Sequence, residues 1–314
     1  MTDPMAAPKA DPGGTSARSS RARAWLVAIR PATLPAAIGP VLVGLAVAIS
    51  LGVFEALPAL ATMAVALLLQ AASNVANDLS DFRSGVDNDE RLGPPRAAAM
   101  GLLTQRQMLA GLVVIVGLAG LVGLYLTWVG GPVILVLGIA AVVSAFAYSG
   151  GPWPYGYHGL GEVFVFVFFG LVAVAGTTYL QTLTVEPLAL VAAIPVGALI
   201  TAILVINNLR DIDTDRRAGK HTLAVMLGPG GTVNEYDLLL GVAYVTPVAL
   251  VIAGDVSPAA LLPLASAPMA VALRRVVRAG GDPRRLNAVL KETARLSLVF
   301  SVLLAIGLAV PGLT

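Results

Sequence analysis

The sequence predicts an all-α integral membrane protein of nine transmembrane helices. Of its 314 residues, 57% are hydrophobic and only 12% are charged, whereas ordinary soluble domains carry about 25% charged residues. The mean hydropathy is +0.84, and apolar runs recur at the length of about 20 residues that a helix needs to cross a bilayer. The composition therefore favours a chain that crosses the membrane many times.

The predicted spans follow one another over most of the chain. Residues 1–22 are rich in Pro, Gly, Ala and Ser and lack an apolar face, which is typical of a disordered tail; residues 23–314 form the predicted transmembrane domain. The nine spans lie near residues 34–54, 57–77, 108–127, 131–149, 161–181, 187–207, 237–254, 257–273 and 294–312. The seventh and eighth are short and contain prolines.

All 20 lysine and arginine residues fall on one side of this nine-span topology. They lie in the N-terminal segment and in, or at the edges of, the loops after the second, sixth and eighth spans. The charged residues of the opposite loops are Glu55, Glu186 and Asp255. Because basic loops stay in the cytoplasm, the N-terminus and these three loops are predicted to be cytoplasmic, and the protein to lie in the cell membrane.

Two polar stretches follow even-numbered spans on the cytoplasmic side. NVANDLSDFRSGVDNDE (74–90) follows the second span, and NNLRDIDTDRRAGKHT (207–222) follows the sixth. Their patterns are Asn74-x3-Asp78-x2-Asp81 and Asn207-x3-Asp211-x3-Asp215. If the helices continue through these stretches, each pattern places three oxygen ligands on one helix face.

The two stretches have two interpretations. Each alone could be a loop made acidic for solubility, but clustered carboxylates beside a membrane raise one another's pKa and are costly unless a cation compensates them. The chain has no cysteine, so these hard oxygen ligands favour Mg²⁺. Basic residues interleave with the acids, namely Arg83, Arg91, Arg210, Arg216, Arg217 and Lys220. Carboxylates, a divalent metal and basic side chains together predict a pocket for a diphosphate.

These patterns resemble the aspartate-rich motifs of the UbiA superfamily of intramembrane prenyltransferases. The motif NxxxDxxD matches Asn74, Asp78 and Asp81, and DxxxD matches Asp211 and Asp215. Within the superfamily, the chain is most similar to 1,4-dihydroxy-2-naphthoate polyprenyltransferases of menaquinone biosynthesis in NVANDLSDFRSGVDNDERLGPPRAA, YSGGPWPYGYHGLGEVFVFVFFG and NNLRDIDTDRRAGKHTLAVMLG. The resemblance covers nearly the whole chain after the tail, and it implies nine helices around a central cavity that opens to the cytoplasm.

The resemblance also implies a Mg²⁺-dependent prenyl transfer. A polyprenyl diphosphate would lie in an apolar channel with its diphosphate on two Mg²⁺ ions, and ionisation would give an allylic cation. Dihydroxynaphthoate would attack this cation, with loss of CO₂ and pyrophosphate and formation of demethylmenaquinone. The expected metal ligands are Asn74, Asp78, Asp81, Asn207, Asp211 and Asp215, the four aspartates being also catalytic. The expected diphosphate contacts are Arg83, Lys220, Arg91 and Arg216.

Several single residues have two interpretations each. Arg30 is either an interfacial anchor or a group that binds a substrate anion. Tyr148, expected from the resemblance to be catalytic, either shields the cation with its ring or belongs to an interfacial aromatic belt. Glu162 enters the fifth span, where an acid needs a partner, and is a candidate for the acceptor end of the site. Asp213 lies off the helical stripe and is expected to be solvated.

Other functions are less favoured. A secondary transporter would place its ion site near the bilayer midplane, whereas both polar stretches lie in or beside cytoplasmic loops. A CDP-alcohol phosphotransferase has a single dense aspartate motif, and a 4-hydroxybenzoate or other aromatic prenyltransferase stays open. Seven basic residues between positions 274 and 295 predict a contact with anionic membrane lipid. No nucleic-acid partner is predicted, and chain length and oligomeric state are left open.

Overall fold

The described part of the protein is all helical. The computed structural model describes residues 14–83, 92–93 and 96–310, with side chains from residue 21 onward. Its α-helices are α1 (Gly14–Ile29), α2 (Pro35–Ser50), α3 (Ala56–Arg83), α4 (Gln105–Gly130), α5 (Pro132–Ala147), α6 (Gly161–Val165), α7 (Ala173–Thr182), α8 (Pro187–Arg217), α9 (Leu223–Ala253), α10 (Ala267–Ala279) and α11 (Leu286–Ala309). A π-helical segment (Phe166–Val172) joins α6 to α7, and a 3₁₀ segment (Pro258–Ser266) precedes α10.

Every predicted span overlaps a helix or a continuous helical unit. Among the described residues, seven such units are long and apolar enough to cross a membrane, and an eighth is added if α1 and α2 form one bent span. The fourth predicted span corresponds to α5, an apolar helix of only 16 residues that is too short to count among these units. The all-helical prediction is therefore confirmed, with seven or eight candidate spans.

The first described helix crosses residue 22, the boundary placed between the tail and the transmembrane domain. Helix α1 begins at Gly14 and ends at Ile29. The segment SARSSRARAW contains Ala and Arg, which are strong helix formers. The segment Arg21–Thr33 and α2 meet at an angle of 50°, and within that segment Arg30 has a φ of 54° and is followed by Pro31.

Helices α3 and α8 continue through the two polar stretches, as the spacing argument requires. Helix α3 has 28 residues and α8 has 31. Helix α8 lies at the centre of the bundle, since 72% of its most apolar stretch is buried, against 17% for α4. Its buried residues include many alanines, and such small residues let membrane helices approach closely.

A close backbone approach joins α8 to the π-helical segment. A Cβ atom added at Gly170 would lie 2.8 Å from the Cα atom of Gly197, so neither position has room for a side chain. A π-helical turn widens the helix locally and is frequent at functional sites. The segment therefore sets the distance between α8 and the wall formed by α6 and α7.

Candidate active site

A cavity of about 1070 Å³ lies between α2, α3, α5, α7, α8 and the start of α11. Its acidic and basic residues come from helix ends and adjoining loops, and they are Arg30, Asp81, Arg96, Arg210, Asp211, Asp215, Arg217, Lys220 and Lys291. The remaining walls are largely apolar and include Val65, Leu69, Leu126, Ile134, Leu137, Phe168, Phe169 and Val172. The cavity therefore has a charged end and an apolar end.

On α3, the three motif residues have different surroundings. Asn74 lines the cavity, and its Nδ2 atom donates to Ile29 O and Thr33 Oγ1, both at 2.8 Å. These bonds fix the amide, so that its Oδ1 atom is the group left to accept a bond or bind a cation. Asp81 also lines the cavity, whereas Asp78 is fully buried and accepts from the backbone N–H of Ala97 at 3.0 Å. Asp78 thus holds the chain that follows the first polar stretch.

On α8, a buried arginine organises the second motif. Arg210 donates from Nε to Asp211 Oδ1 at 2.8 Å and from Nη2 to Asn207 Oδ1 at 2.8 Å. Its Nη1 atom donates to Asn287 Oδ1 on α11 at 2.9 Å, and Asn287 Nδ2 donates in turn to Leu92 O at 2.9 Å. One guanidinium therefore fixes the orientation of two motif residues and connects α8 with α11 and with the chain after α3.

Lys220 connects the two aspartate stretches directly. Its Nζ atom lies 3.9 Å from Asp81 Oδ1 on α3 and 3.6 Å from Asp215 Oδ1 on α8. The same ammonium lies 4.3 Å from the ring centroid of Tyr157, whose hydroxyl donates to Asp81 Oδ1 at 2.8 Å. Two carboxylates that would repel each other are thus brought together across a buried cation. The fold therefore brings the two polar stretches together in one ionic cluster.

Arg96 gives Asp81 a second cationic partner. It forms a salt bridge with Asp81, and its Nη1 atom donates to Asn77 O at 3.1 Å. Asn77 lines the cavity, and its Oδ1 atom accepts from Ser149 Oγ at 2.9 Å. The site therefore holds several cations among its carboxylates, which suits a polyanionic ligand.

The site fits Mg²⁺ only jointly with a ligand. Among the residues that the structure describes, no three acidic, histidine or cysteine side chains lie close enough to enclose a metal ion. The available donors are carboxylate and amide oxygens spread over two helices, and Mg²⁺ is commonly bound by one or two carboxylates together with substrate phosphates. The donor set therefore fits a metal that arrives with a diphosphate.

Some predicted site residues lie outside the cavity. Arg83 and Arg216 are exposed, and Arg216 pairs with the exposed Asp213 at 3.5 Å. Glu162 is buried beside the cavity and accepts from Asn208 Nδ2 at 2.7 Å, so Asn208 is the partner that an acid in a span requires. Arg91 falls outside the described residues.

Arg30 and Tyr148 both line the cavity. Tyr148 packs edge-to-face on Tyr155 with ring centroids 5.5 Å apart, and Tyr155 stacks on Phe164 at 4.0 Å. Burial raises the pKa of the Tyr155 hydroxyl, which therefore stays protonated and donates to Ser144 O at 3.0 Å. These rings form an aromatic wall at the boundary between the charged and the apolar ends.

Sequence reasoning assigned no role to Arg96, Tyr157, Asn208 or Asn287. Tyr157 lies 76 residues from Asp81, and Asn287 lies 77 residues from Arg210, so no local spacing reveals either contact. The one local signal is the Gly/Pro-rich stretch GGPWPYGY, whose composition is typical of a turn but names no partner for Tyr157. In the structure this turn ends in the 3₁₀ segment Tyr155–His158, which carries Tyr157 to the aspartates.

The fold and the cavity define an all-helical membrane protein with an ionic cluster at the head of an apolar chamber. The sequence matches the UbiA prenyltransferase family over residues 37–310. It is 42% identical over 285 residues to the Mycobacterium tuberculosis protein named 1,4-dihydroxy-2-naphthoate octaprenyltransferase, covering 91% of this chain and 96% of that one. The Escherichia coli protein of the same name is 38% identical, with 94% and 97% covered.

Solved structures agree in fold. A UbiA homolog from Aeropyrum pernix superimposes with a TM-score of 0.68 at 17% identity, covering 89% of this chain and 97% of that one. A UbiA homolog from Archaeoglobus fulgidus bound to GPP and Mg²⁺ gives 0.61 at 14% identity, with 91% and 99% covered. The chain therefore belongs to the UbiA prenyltransferase family, and it is a multi-pass membrane protein. The resemblance stated from its motifs is confirmed.

Proposed function

We propose that the protein transfers a polyprenyl chain from its diphosphate to 1,4-dihydroxy-2-naphthoate in a Mg²⁺-dependent reaction. The allylic C–O bond breaks and pyrophosphate leaves with the electron pair. The naphthoate carbon that bears the carboxylate then forms the new C–C bond. Loss of CO₂ returns an electron pair to the ring and gives the prenylated naphthoquinol, the reduced form of demethylmenaquinone.

The observation that carries this proposal is the ionic cluster at one end of an otherwise apolar cavity. Asp81 and Asp215, from the two separate motifs, are both within salt-bridge distance of Lys220. A prenyl diphosphate has the matching shape, with a polyanionic head and a long apolar tail. The names of relatives that are 31–42% identical over at least 90% of this chain support the same donor class and the naphthoate acceptor.

The protein's own residues position the leaving group. Lys220, Arg96 and Arg210 present cations around the head of the cavity, so they would hold the pyrophosphate oxygens where negative charge develops. Arg30, which lines the same end, adds a further cation. Mg²⁺, when bound, would neutralise part of that charge; its proposed ligands, for two ions, are Asn74, Asp78, Asp81, Asn207, Asp211 and Asp215.

The aromatic wall would protect the allylic cation. Tyr148, Tyr155 and Phe164 line the cavity where the charged end meets the apolar end, which is where the first isoprene unit would lie. Ring faces attract cations, and the surrounding apolar walls exclude water that would quench the cation. The acceptor would approach between this wall and the charged end.

Orientation in the membrane follows from charge. The charged end of the cavity is built by the ends of α3 and α8, the segment before α2 and the start of α11, and these are the parts that carry the basic loops. Basic loops stay in the cytoplasm, so we place the cavity mouth and the N-terminus on the cytoplasmic side of the cell membrane. In this arrangement α5 is the fourth of nine proposed spans.

Product identification tests the proposal. Membranes that contain the protein would be incubated with geranyl diphosphate and either 1,4-dihydroxy-2-naphthoate or 4-hydroxybenzoate, with Mg²⁺ and with a chelator, and products identified by mass. We expect a decarboxylated, prenylated naphthoquinol only with Mg²⁺ and dihydroxynaphthoate. If prenylated 4-hydroxybenzoate were the main product, 4-hydroxybenzoate would be the acceptor instead of dihydroxynaphthoate. Absence of any Mg²⁺-dependent prenylated product would refute the proposal that the protein is a prenyltransferase.

A further inference from the structure

Asn208 lies on α8 where the charged end of the cavity meets the aromatic wall. It lines the cavity three residues before Asp211 and four residues after Leu204, so it is about one helical turn from each. A Cβ atom added at Gly161, at the start of α6, would lie 3.4 Å from both Leu204 Cδ2 and Tyr148 Cε2. The aromatic wall therefore meets α8 one turn before Asn208.

A buried carboxylate fixes the amide of Asn208. Its Nδ2 atom donates to Glu162 Oε1 at 2.7 Å, and each of the two residues is only 5% exposed. Glu162 itself does not line the cavity, so it holds Nδ2 from behind. The Oδ1 atom of Asn208 is then the group left to accept a hydrogen bond from a ligand. This position offers the cavity an acceptor of hydrogen bonds.

Such an oxygen suits a ring hydroxyl better than a diphosphate. Diphosphate oxygens are themselves acceptors and have no hydrogen to donate to Oδ1. Dihydroxynaphthoate has a hydroxyl on the carbon next to the one that bears the carboxylate, which is the attacking carbon of the proposed reaction. When that carbon is about 3–3.5 Å from the reacting carbon of the prenyl chain, this hydroxyl lies at the same boundary as Asn208.

We propose that Asn208 binds the hydroxyl next to the attacking carbon and that Glu162 is a positioning residue for its amide. The proposal rests on the proposed function, because it concerns the naphthoate of that reaction. As the carbon attacks, the hydroxyl oxygen gives electron density to the ring and its hydrogen becomes more acidic. The hydrogen bond to Oδ1 therefore strengthens in the transition state, which raises kcat. The proton stays on the hydroxyl, since loss of CO₂ returns an electron pair to the ring.

The test compares two naphthoates that differ only at this hydroxyl. The hydroxyl of 1,4-dihydroxy-2-naphthoate can donate, whereas the methyl ether in 4-hydroxy-1-methoxy-2-naphthoate cannot. The measured quantity is the ratio of kcat/KM for the first compound to that for the second, with geranyl diphosphate and Mg²⁺. Asn208→Leu removes the oxygen at similar volume. Thr293→Val is the control, because Thr293 is also buried and hydrogen-bonded, to Tyr236 at 3.0 Å, but does not line the cavity.

We expect Asn208→Leu to lower this ratio about tenfold through loss of one hydrogen bond, while Thr293→Val leaves it unchanged. Equal loss with both naphthoates in Asn208→Leu would overturn the proposal, because the amide would then serve only the fold or the metal. Glu162→Met should also lower the ratio, whereas Glu162→Gln keeps an oxygen for Nδ2 and should retain more of it. A wild-type ratio in Glu162→Met would contradict the positioning role.

A double variant keeps the test independent of folding. Asn208→Leu leaves the Glu162 carboxylate buried without this partner, which is destabilising. Glu162→Met combined with Asn208→Leu removes both polar groups, and replacement of a buried polar pair by apolar side chains of similar volume is often neutral. The double variant should have the same low ratio as Asn208→Leu alone. A wild-type ratio in the double variant would overturn the proposal.

A binding readout separates this proposal from the proposed function. The Kd of each naphthoate would be measured with Mg²⁺ and pyrophosphate present and without a prenyl donor. If the protein transfers no prenyl group, the proposed function fails, yet a smaller preference for the hydroxyl compound in Asn208→Leu than in Thr293→Val would still support the role of Asn208. The same preference in both variants, together with the same kcat/KM ratio, would contradict that role even if transfer occurs.

Discussion

Replacement of Lys220 by methionine should slow prenyl transfer and, at the same time, strengthen Mg²⁺ binding by the protein alone. Lys220 is buried, and its ammonium bridges Asp81 and Asp215 at 3.9 and 3.6 Å. Methionine keeps much of the apolar stem but removes the charge. The two carboxylates then keep Arg96 as a cationic partner only on the side of Asp81. A divalent cation would no longer compete with the ammonium for the space between them.

The magnitude follows from these distances. At an effective dielectric constant of about 20, a charge pair at 3.6–3.9 Å has an attraction of roughly 4–5 kcal/mol. Most of it is offset by the cost of desolvating a buried ammonium, so the net effect on folding should be far smaller. In the reaction the same ammonium faces the leaving group, and loss of one such preorganised contact typically lowers kcat by about 10²–10³-fold.

The assay has two readouts. Pyrophosphate release gives kcat/KM, which we expect to fall by about 10²-fold, and titration of the substrate-free protein with Mg²⁺ gives a Kd, which we expect to decrease by about tenfold or more. Lys291→Met is the control, because Lys291 is an exposed lysine at the edge of the cavity. A Lys220→Met variant with unchanged kcat/KM and unchanged Mg²⁺ affinity would refute the idea that Lys220 compensates the two motifs.

Three further predictions concern the groups around this cluster. Tyr157→Phe removes the 2.8 Å hydrogen bond to Asp81 and should lower kcat/KM roughly tenfold, since a hydrogen bond to a charged group contributes about 1.5–3 kcal/mol. Asn287→Ala leaves Arg210 without one acceptor and should lower the free energy of unfolding by roughly 1–3 kcal/mol and raise the KM for the prenyl diphosphate. Gly170→Val forces apart α8 and the π-helical segment and should lower Tm, at a cost of about 1–3 kcal/mol.

Matched variants decide each of these predictions. Tyr125→Phe also removes a tyrosine hydroxyl, but it does so on α4, far in sequence from the cluster. This variant should leave kcat/KM unchanged. Asn287→Asp keeps an acceptor for Arg210 and should retain more stability than alanine; equal losses in both variants would contradict the role of that bond. Gly241→Val introduces the same side chain on α9, where a Cβ atom meets nothing within 4 Å. A Tm as low as that of Gly170→Val would contradict the packing argument.

The parts of the fold that sequence could predict are those set by local periodicity. Apolar runs of bilayer length located the seven or eight candidate spans, because lipid requires helices to satisfy their own backbone hydrogen bonds. The spacing of Asn74, Asp78 and Asp81 placed them on α3, and the solvated position expected for Asp213 is confirmed, since its side chain is 74% exposed. The spacing argument had assumed that the helices continue into the polar stretches, and α3 and α8 do so.

The parts that sequence could not predict depend on tertiary contacts or on backbone departures from regular helices. Arg83 and Lys220 look equally suited to a phosphate in the sequence, yet only Lys220 faces the cavity. Arg96 and Tyr157 reach Asp81 because α3 packs beside two turns that are far apart in sequence. The π-helical segment has no sequence period of its own, so its position next to α8 also becomes visible only in the structure.

The claim that the two aspartate stretches form one site can be tested by conservative amide substitutions. Pyrophosphate release from geranyl diphosphate with dihydroxynaphthoate and Mg²⁺ would be measured for Asp81→Asn, Asp215→Asn and the control Asp213→Asn. Asp213 is adjacent in sequence but exposed, so it separates a role in the site from a general effect of lost charge. We predict that the first two variants lose about 10²–10³-fold in kcat/KM and that Asp213→Asn stays near wild type. Wild-type rates in both cavity variants, or an equal loss in all three, would contradict a shared site.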